Sequence, residues 1–266
     1  MEKLILNEAL PIVALSELGL YVNGRHLLSE KNIKALLSGR RTSMLSLKNL
    51  KSDTFVIEGL EAKLSLGKEG ATDAILVHPV YREPKICAEL EAKEGWAMIA
   101  NDDANVAKVI KNSTDDSTRM LIFEYDSETK EFLSYSPSQV IVPIQVNGEL
   151  LEESKRLAFA HGKLIEMADG TKIQYRASEP NGIIANTPVL ILTIAGSEAP
   201  VSYLVLEIHP LKDYSIQQSP FTASFEAAYI EMERTENSLA DREILKDSYE
   251  EFKNEYNRDY GAGHSR

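Results

Sequence analysis

The sequence contains little that is typical of a secreted or membrane-spanning protein. Its single cysteine, Cys87, cannot form an internal disulfide, which is typical of a reducing compartment. No stretch reaches the roughly 18 apolar residues that a membrane-spanning helix needs. The first twenty residues carry acidic side chains within their apolar part and lack a small-residue cleavage site, so they do not resemble a signal peptide. We therefore expect a cytoplasmic protein that does not enter a membrane.

Patterns that identify a reaction are also missing from the sequence. The five histidines show no metal-ligand spacing, and one cysteine does not indicate a zinc site. There is no phosphate-binding loop, dinucleotide fingerprint, nucleophile elbow or kinase motif set. We therefore expect no catalytic residues, no metal and no cofactor. An enzyme is the least favoured class of protein.

The nearest approach to a catalytic pattern is an acid combined with Glu-x-Lys, as in metal-dependent nucleases. The triplet EAK at 61–63 with Asp53 fits it, and so does ETK at 128–130 with Asp116. Such a site needs carboxylates that converge on Mg²⁺ at the end of a buried sheet. The second triplet falls in a predicted exposed turn, and Glu-x-Lys arises easily in a chain with 26% charged residues. A solvated turn is therefore the favoured interpretation.

The net charge of −12 is unevenly distributed. Residues 1–90 carry +1, residues 91–154 carry −8, residues 155–220 are balanced, and residues 221–266 carry −5. The acidic middle and tail would repel a phosphate backbone, so broad nucleic-acid binding is disfavoured. A local phosphate contact remains open in the first part of the chain. Its candidate residues are Arg40, Arg41, Lys34, Lys48 and Lys51.

The arginine pair follows a predicted helix over residues 30–37. Ser29 is the expected N-cap, and Gly39 can adopt the positive φ that ends the helix. Arg40 and Arg41 come directly afterwards. We expect both side chains to be exposed, because a guanidinium in a glycine-bounded turn is more often solvated or paired with a nearby acid than bound to phosphate.

Short apolar runs between turn signals predict an α+β fold. Strands that cluster in this way, instead of alternating with long helices, argue against a parallel doubly wound sheet. We expect two small strand-rich modules with short helices and an amphipathic helical C-terminal tail. Their expected bounds are 1–112, 113–215 and 216–266.

The elements predicted within these modules are of three kinds. Helices are expected at 11–18, 30–37, 88–94 and 151–160. Strands are expected at 54–57, 60–66, 74–78, 96–100, 106–110, 140–146, 189–194 and 201–208. Hairpins are expected to join 119–125 with 131–135 and, across an Asp-Gly turn, 163–167 with 171–177.

In the tail, an apolar stripe must be buried somewhere. Leu245, Tyr249, Phe252 and Tyr256 lie at spacings of four, three and four, on one face of a helix. The favoured interpretation packs the stripe on the protein's own sheet. The alternative makes these residues a partner-binding surface.

Several segments resemble a known but uncharacterised family. They are LSGRRT at 37–42, LEAKLSL at 60–66 and HPVYREP at 78–84, and QYRA at 174–177 with NGI at 181–183. Over roughly residues 15–185 the chain is similar to a domain family of bacterial conjugative transposons and related mobile elements. That family has, in the same order, a small-Gly-basic-basic-Thr turn, a DARLSL-like strand, an IHxxRKEPEL-like segment and a closing hairpin.

One segment departs from the family pattern. The family's glycine-rich stretch with a following Gly-Arg is replaced by ANDDANVAK at 100–108, which removes a basic residue and adds acids. The resemblance implies a context in conjugative DNA processing or its upkeep, and it implies no catalytic residues.

Two hypotheses of function follow. The favoured one is a non-catalytic interaction or accessory protein that binds protein partners of a mobile-element machinery. The alternative is a nucleic-acid-processing accessory factor that contacts phosphate through its N-terminal module, although the net charge disfavours it.

Overall fold

The structure is a computed structural model that describes residues 10–51, 56–69, 72–101, 104–111, 117–197, 199–212, 214–217, 219–235 and 239–260. Its helices are α1 (Ile12–Glu17), α2 (Glu30–Leu37), α3 (Ala92–Ala100), α4 (Glu153–Ala160), α5 (Ala223–Thr235) and α6 (Leu239–Tyr260), with a 3₁₀ turn at Pro137–Gln139. No helix in these ranges is both long enough and apolar enough to cross a membrane.

The strands range from two residues to the 14 of β4. They are β1 (Tyr21–Val22), β2 (Arg25–His26), β3 (Leu45–Lys51), β4 (Val56–Glu69), β5 (Thr72–Pro79), β6 (Val106–Lys111), β7 (Thr118–Asp126), β8 (Glu131–Tyr135), β9 (Gln145–Val146), β10 (Glu149–Leu150), β11 (Ile165–Glu166), β12 (Lys172–Tyr175), β13 (Ile183–Ala185), β14 (Leu190–Ile194), β15 (Val201–Val205) and β16 (His209–Pro210). The sheet orders include β3-β4-β5, β6-β7-β8 and β10-β9-β14-β15. The expected α+β fold is confirmed.

The chain divides into two compact units. Unit 1 contains residues 1–140, 161–163 and 174–184, and unit 2 contains residues 141–160, 164–173 and 185–266. This division differs from the boundary expected at residue 112. β6 pairs with β7 from Val106↔Phe123 to Lys111↔Thr118, so a cut at residue 112 would separate two strands of one sheet.

In unit 1, one face of the β3-β4-β5 sheet covers an apolar core. Leu47, Ala62 and Leu64 point into it and meet Leu15 of α1 and Leu36 of α2. Side chains alternate across a strand, so the intervening residues of β4 lie on the opposite face. That face is polar and carries the candidate site. The sequence predicted β4 as two shorter runs and missed β3, which contributes only three residues to this core and its periphery.

Also in unit 1, the β6-β7-β8 sheet packs with α3. The hairpin between β7 and β8 is confirmed, with Asp126 opposite Glu131. The extended run expected at residues 96–100 is wrong, because those residues belong to α3. A capping box explains the helix start. The Glu91 side chain accepts the backbone N–H of Glu94, and the Glu94 side chain accepts the backbone N–H of Glu91. Met98 and Leu90 then join Phe123 in a small core.

In unit 2, the predicted Asp-Gly hairpin is confirmed as β11 and β12, with Ile165 opposite Ile173. Asp169 in its turn accepts hydrogen bonds from the Thr171 N–H at 3.0 Å and the Thr222 hydroxyl at 2.8 Å. The Thr222 hydroxyl oxygen also accepts the Phe225 N–H at 3.1 Å, which caps α5. The turn therefore fixes where α5 begins.

The predicted tail stripe is buried within unit 2. Tyr249 is 2% exposed, and its ring lies 4.2 Å from that of Tyr229 on α5. Leu245 and Phe252 pack against the same cluster, which includes Val189 and Ile191. Tyr256 completes the stripe, since the centroid of its ring lies 5.8 Å from that of Phe221. Packing on the protein's own sheet is therefore confirmed, and a partner cannot use these residues as a freely exposed surface.

This burial predicts a large stability loss for Tyr249→Ala. The substitution removes a ring enclosed by Tyr229, Phe221 and Phe225, so we expect the free energy of unfolding to fall by about 3–5 kcal/mol in urea denaturation. Ile244→Ala on the same helix is the control, because Ile244 is 64% exposed and should change it by no more than about 0.5 kcal/mol. Equal effects of the two substitutions would contradict the packing of α6.

Candidate functional site

The candidate site begins at the predicted arginine turn. Ser29 caps α2 by accepting the Asn32 N–H, as expected. Gly39 has φ +68°, and the N–H of Arg40 bonds to the Ala35 carbonyl at 2.9 Å while that of Gly39 bonds to the Leu36 carbonyl. This is a Schellman ending, which turns the chain sharply after α2. The turn aims the two arginines in different directions.

The expected exposure of Arg41 is wrong. Arg41 is 5% exposed. Its Nη1 donates to Asp126 Oδ2 at 3.0 Å and to Thr129 Oγ1 at 2.9 Å, and it lies 3.0 Å from Glu131 Oε2. Asp126 and Glu131 are cross-strand neighbours in the β7-β8 hairpin, so their like charges need a cation between them. Arg41 supplies it.

The other predicted phosphate contacts are scattered. Arg40 is half-buried, and its Nε donates to the Pro180 carbonyl at 3.1 Å. Lys34 is exposed and pairs with Glu30 one helical turn earlier, at 2.6 Å. Lys48 is exposed on β3, and the side chain of Lys51 lies outside the described part of the chain. The candidates whose side chains are described therefore do not form one basic patch.

Lys63 is buried in the site, which the sequence analysis did not predict. It has no exposed surface. Its Nζ donates to Asp126 Oδ1 at 3.1 Å and to the Ser178 carbonyl at 3.0 Å, and it lies 2.7 Å from Glu128 Oε2. These contacts use all three donors of the ammonium group. Lys63 therefore joins β4, the β7-β8 turn and the segment at Ser178.

Asp126 is the centre of this ionic cluster, which we define as Arg41, Lys63, Asp126, Glu128 and Glu131. Asp126 is 2% exposed. Besides the two cations, its carboxylate accepts the backbone N–H of Glu128 at 3.2 Å, which shapes the turn. A buried carboxylate with this many donors stays ionised.

The pKa directions agree with an ionised cluster. Burial by itself would raise the pKa of the Asp126 carboxyl, but the charges of Lys63 and Arg41 outweigh it and lower that pKa. Burial would likewise lower the pKa of Lys63, but the negative charges of Asp126, Glu179 and Glu128 outweigh it and raise that pKa. Both partners therefore remain charged over the neutral range.

A second buried pair lies beside the cluster. Glu124 has no exposed surface, and its carboxylate accepts the backbone N–H groups of Ala177 at 2.9 Å and Ser178 at 2.7 Å. Arg176 lies 3.5 Å from Glu124 and donates to the Tyr125 carbonyl at 2.6 Å. This pair holds the segment whose carbonyl receives Lys63.

The ionic cluster and the neighbouring His78 bring together segments that are far apart in the sequence. Arg41 comes from LSGRRT, Lys63 from LEAKLSL and His78 from HPVYREP, and Ser178 lies between the closing segments at 174–177 and 181–183. Thr42 adds to this, since its N–H and hydroxyl oxygen bond the Leu64 backbone, both at 2.9 Å. Residues that are far apart in the sequence therefore form one charged junction.

A polar chain leaves this cluster along the outer face of the sheet. His78 Nδ1 lies 3.1 Å from Glu131 Oε2, and His78 Nε2 lies 2.8 Å from Ser65 Oγ. The pKa of Glu131 is lowered: burial would raise it, but the hydrogen bond from His78 and the charge of Arg41 prevail. An ionised carboxylate can only accept, so Nδ1 carries a proton. In the neutral ring Nε2 then accepts a hydrogen bond from the Ser65 hydroxyl.

The nuclease-like triplets do not assemble as that pattern requires. Asp53 and Asp116 lie outside the described residues. The Lys63 ammonium is bound within the ionic cluster. Lys130 instead donates to the Arg82 carbonyl at 2.8 Å. Position in the sheet, rather than the triplet, gives Lys63 its role.

No protein-family model, curated protein or solved structure matches this chain. The ionic cluster pairs its cations internally and fixes chain segments, whereas the Ser65–His78–Glu131 chain ends in a polarised hydroxyl. The first is structural chemistry, and the second is the chemistry of a nucleophile.

The ionic cluster predicts that Lys63→Met is strongly destabilising. The substitution leaves Asp126 with one cation instead of two and leaves the Ser178 carbonyl without its donor, so we expect a loss of about 3–5 kcal/mol in the free energy of unfolding. Lys48→Met is the control, because Lys48 is exposed on the neighbouring strand. A Lys63→Met protein as stable as the control would show that the cluster does not stabilise unit 1.

The lowered carboxyl pKa values predict acid sensitivity. A group whose pKa is lower in the folded state stabilises the fold fully above its unfolded value of about 4, and the effect is lost as pH falls through the folded value. The urea midpoint should therefore drop below about pH 5. Asp126→Asn should lower the midpoint at pH 7 and flatten its further loss in acid. An unchanged pH slope in Asp126→Asn would contradict this assignment.

Proposed function

We propose that the chain is a cytoplasmic accessory protein of a conjugative or mobile genetic element, and that it acts by binding a protein partner of that machinery. The family resemblance of residues 15–185 supports the genetic context. The single cysteine supports a reducing compartment. The mode of action is supported by the surface of α3.

Helix α3 presents Trp96 on an exposed face that is apolar apart from Lys93, and this face supports the proposal. Trp96, the single tryptophan of the chain, is 59% exposed. Ala92 and Ala100 lie one turn before and after it and are also exposed, as is Ala97. Exposed helix faces are usually charged. Tryptophan is among the residues that contribute most to protein–protein affinity when it enters a partner's pocket.

The opposite face of α3 holds this surface in place. Gly95 is buried so close to Ile86 that an added Cβ would lie 2.7 Å from the isoleucine side chain. Met98 packs into the core with Phe123. An anchor that is already rigid before binding loses little conformational entropy when a partner covers it. Trp96 is therefore suited to insert into an apolar cleft.

Charge favours a protein partner over nucleic acid. Residues 91–154, which include α3, carry a charge of −8. The N-terminal candidate Arg41 is engaged in the ionic cluster, and Lys34 pairs with Glu30. These features oppose a phosphate contact. The nucleic-acid alternative would depend mainly on the two remaining lysines of β3, Lys48 and Lys51.

The test is affinity purification of the full chain from the native host, followed by quantitative mass spectrometry. We expect proteins encoded by the same mobile element to be enriched with the unchanged protein and lost with Trp96→Ala. Ile230→Ala is the matched control, because Ile230 is 56% exposed on α5 and should retain them. Enrichment that is equal for Trp96→Ala would overturn the proposal, and so would the absence of element-encoded proteins.

Fluorescence gives an independent readout, because emission comes from one tryptophan. A purified partner from the first experiment should shift the Trp96 emission to shorter wavelength and protect it from iodide quenching. An unchanged emission on saturation would exclude Trp96 from the interface. A DNA oligonucleotide serves as the second ligand. Binding that Lys48→Ala weakens would favour the nucleic-acid alternative and overturn the proposal.

A further inference from the structure

The hydrogen-bonded chain of Ser65, His78 and Glu131 has the order of a nucleophile, a base and an orienting carboxylate. We propose that Ser65 is the nucleophile of an acyl-transfer site that takes carboxylic esters with a small apolar acyl group. This goes beyond the partner-binding role and does not depend on it. Catalytic function was not expected from the sequence, so the proposal rests on geometry.

The register of β4 and β5 places Ser65 beside His78. Lys63 lies opposite His78, and Ser65 lies opposite Leu76, so Ser65 and His78 are diagonal neighbours on the same face. The distance of 2.8 Å from Ser65 Oγ to His78 Nε2 lies within hydrogen-bond range. Proton transfer between these atoms needs no rearrangement. His78 therefore qualifies as the general base.

Glu131 is the positioning residue of the chain. It binds Nδ1 of His78, which directs the free lone pair of Nε2 toward Ser65. Arg41, 3.0 Å away, holds the Glu131 carboxylate in place, so the ionic cluster anchors the base. The side chains of His78 and Glu131 are 15% and 22% exposed. Ser65 is also partly buried, so all three members of the chain keep some contact with solvent.

The backbone next to Ser65 offers a donor for an oxyanion. The N–H and carbonyl of Leu64 bond to Thr42, on the β3 side of β4. Backbone groups two residues apart point the same way, so the Leu66 N–H also faces that side. The β3 register ends at Leu45↔Ala62, and β3 therefore does not extend to Leu66. The residue that follows the nucleophile supplies this donor in known hydrolases.

One apolar side chain is exposed beside Ser65 on this otherwise polar face. Leu76, opposite Ser65, is 45% exposed. Gly67 lies beneath it, so close that an added Cβ would be 2.5 Å from Leu76 Cδ1. Glycine at this position lets the leucine side chain lie flat on the strand. A small apolar acyl group would pack on Leu76, which gives the proposed substrate class.

The reaction proceeds in two steps, acylation of Ser65 and hydrolysis of the acyl-serine. Ser65 Oγ adds to the ester carbonyl carbon while its proton moves to His78 Nε2. The carbon–oxygen bond to the alcohol then breaks, and the alcohol leaves with the proton from His78. Water, deprotonated by His78, adds to the acyl-serine, and the acid is released as Ser65 regains its proton.

The test uses the folded full chain and a biotinylated alkyl fluorophosphonate. Ser65 Oγ would bond to phosphorus, fluoride would leave, and His78 would take the proton. We expect one label per chain, located at Ser65 by peptide mass spectrometry. Ser65→Ala should abolish labelling, and His78→Ala should reduce its rate at least about 100-fold, the lower end of a base's contribution. Added imidazole should restore much of that rate.

Ser46 provides the matched control. It lies on the same polar face, but its hydroxyl bonds to the Glu61 carboxylate instead of a histidine. Ser46→Ala should leave labelling unchanged. Circular dichroism and a thermal melt establish that each variant is folded. Hydrolysis of 4-nitrophenyl butyrate by the unchanged protein, absent in Ser65→Ala, is the second readout.

The outcomes separate cleanly. Labelling confined to Ser65 and rescued by imidazole in folded His78→Ala supports the proposal. Labelling spread over several serines, labelling unaffected by His78→Ala, or no labelling of the folded protein overturns it. None of these outcomes changes the test of Trp96, which reports on partner binding alone.

Discussion

A fully buried lysine can stay charged only beside carboxylates, and unit 1 depends on this constraint at Lys63. Its ammonium lies between Asp126, Glu128 and the Ser178 carbonyl, while Arg41 pairs with Asp126 and Glu131. Removing one member would leave a buried charge uncompensated, which is far more destabilising than losing a surface ion pair. The cluster therefore specifies how α2, β4, β7 and β8 meet.

The polar face of the β3-β4-β5 sheet therefore carries two kinds of residue, which are cations paired inside the protein and a hydroxyl nearer the surface. Arg41 and Lys63 are saturated by internal partners, and they hold chain segments together. Ser65 follows Lys63 two residues later on β4, and hydrogen bonds through Glu131 and His78 connect it to the ionic cluster. A rigid, charged interior thus supports a polarised group near the surface, as functional sites generally require. Trp96 on α3 is supported in a comparable way by Gly95 and Met98.

Much of the fold could be predicted because its signals are local. Ser29 and Gly39 delimit α2, the Asp-Gly turn forms β11 and β12, and the stripe of α6 packs on its own unit. Predictions were wrong where a local preference was weak. The β-branched and aromatic residues at 96–100 favour an extended run, yet the Glu91–Glu94 capping box and the burial of Met98 make them helical. The division into units also differs from the boundary predicted at residue 112, because strand pairing between β6 and β7 leaves no mark in composition.

The sequence by itself determined the α+β class, most turns and the apolar stripe of the C-terminal helix, because hydrophobic periodicity and turn chemistry act over a few residues. Only the tertiary structure decided that Arg41 turns inward, that Lys63 is the centre of a charged junction, and that Ser65 meets His78. Ser65 is 13 residues from His78, and Arg41 is 85 residues from Asp126. Contacts across such distances follow from strand register and hairpin placement, which no short pattern in the chain records.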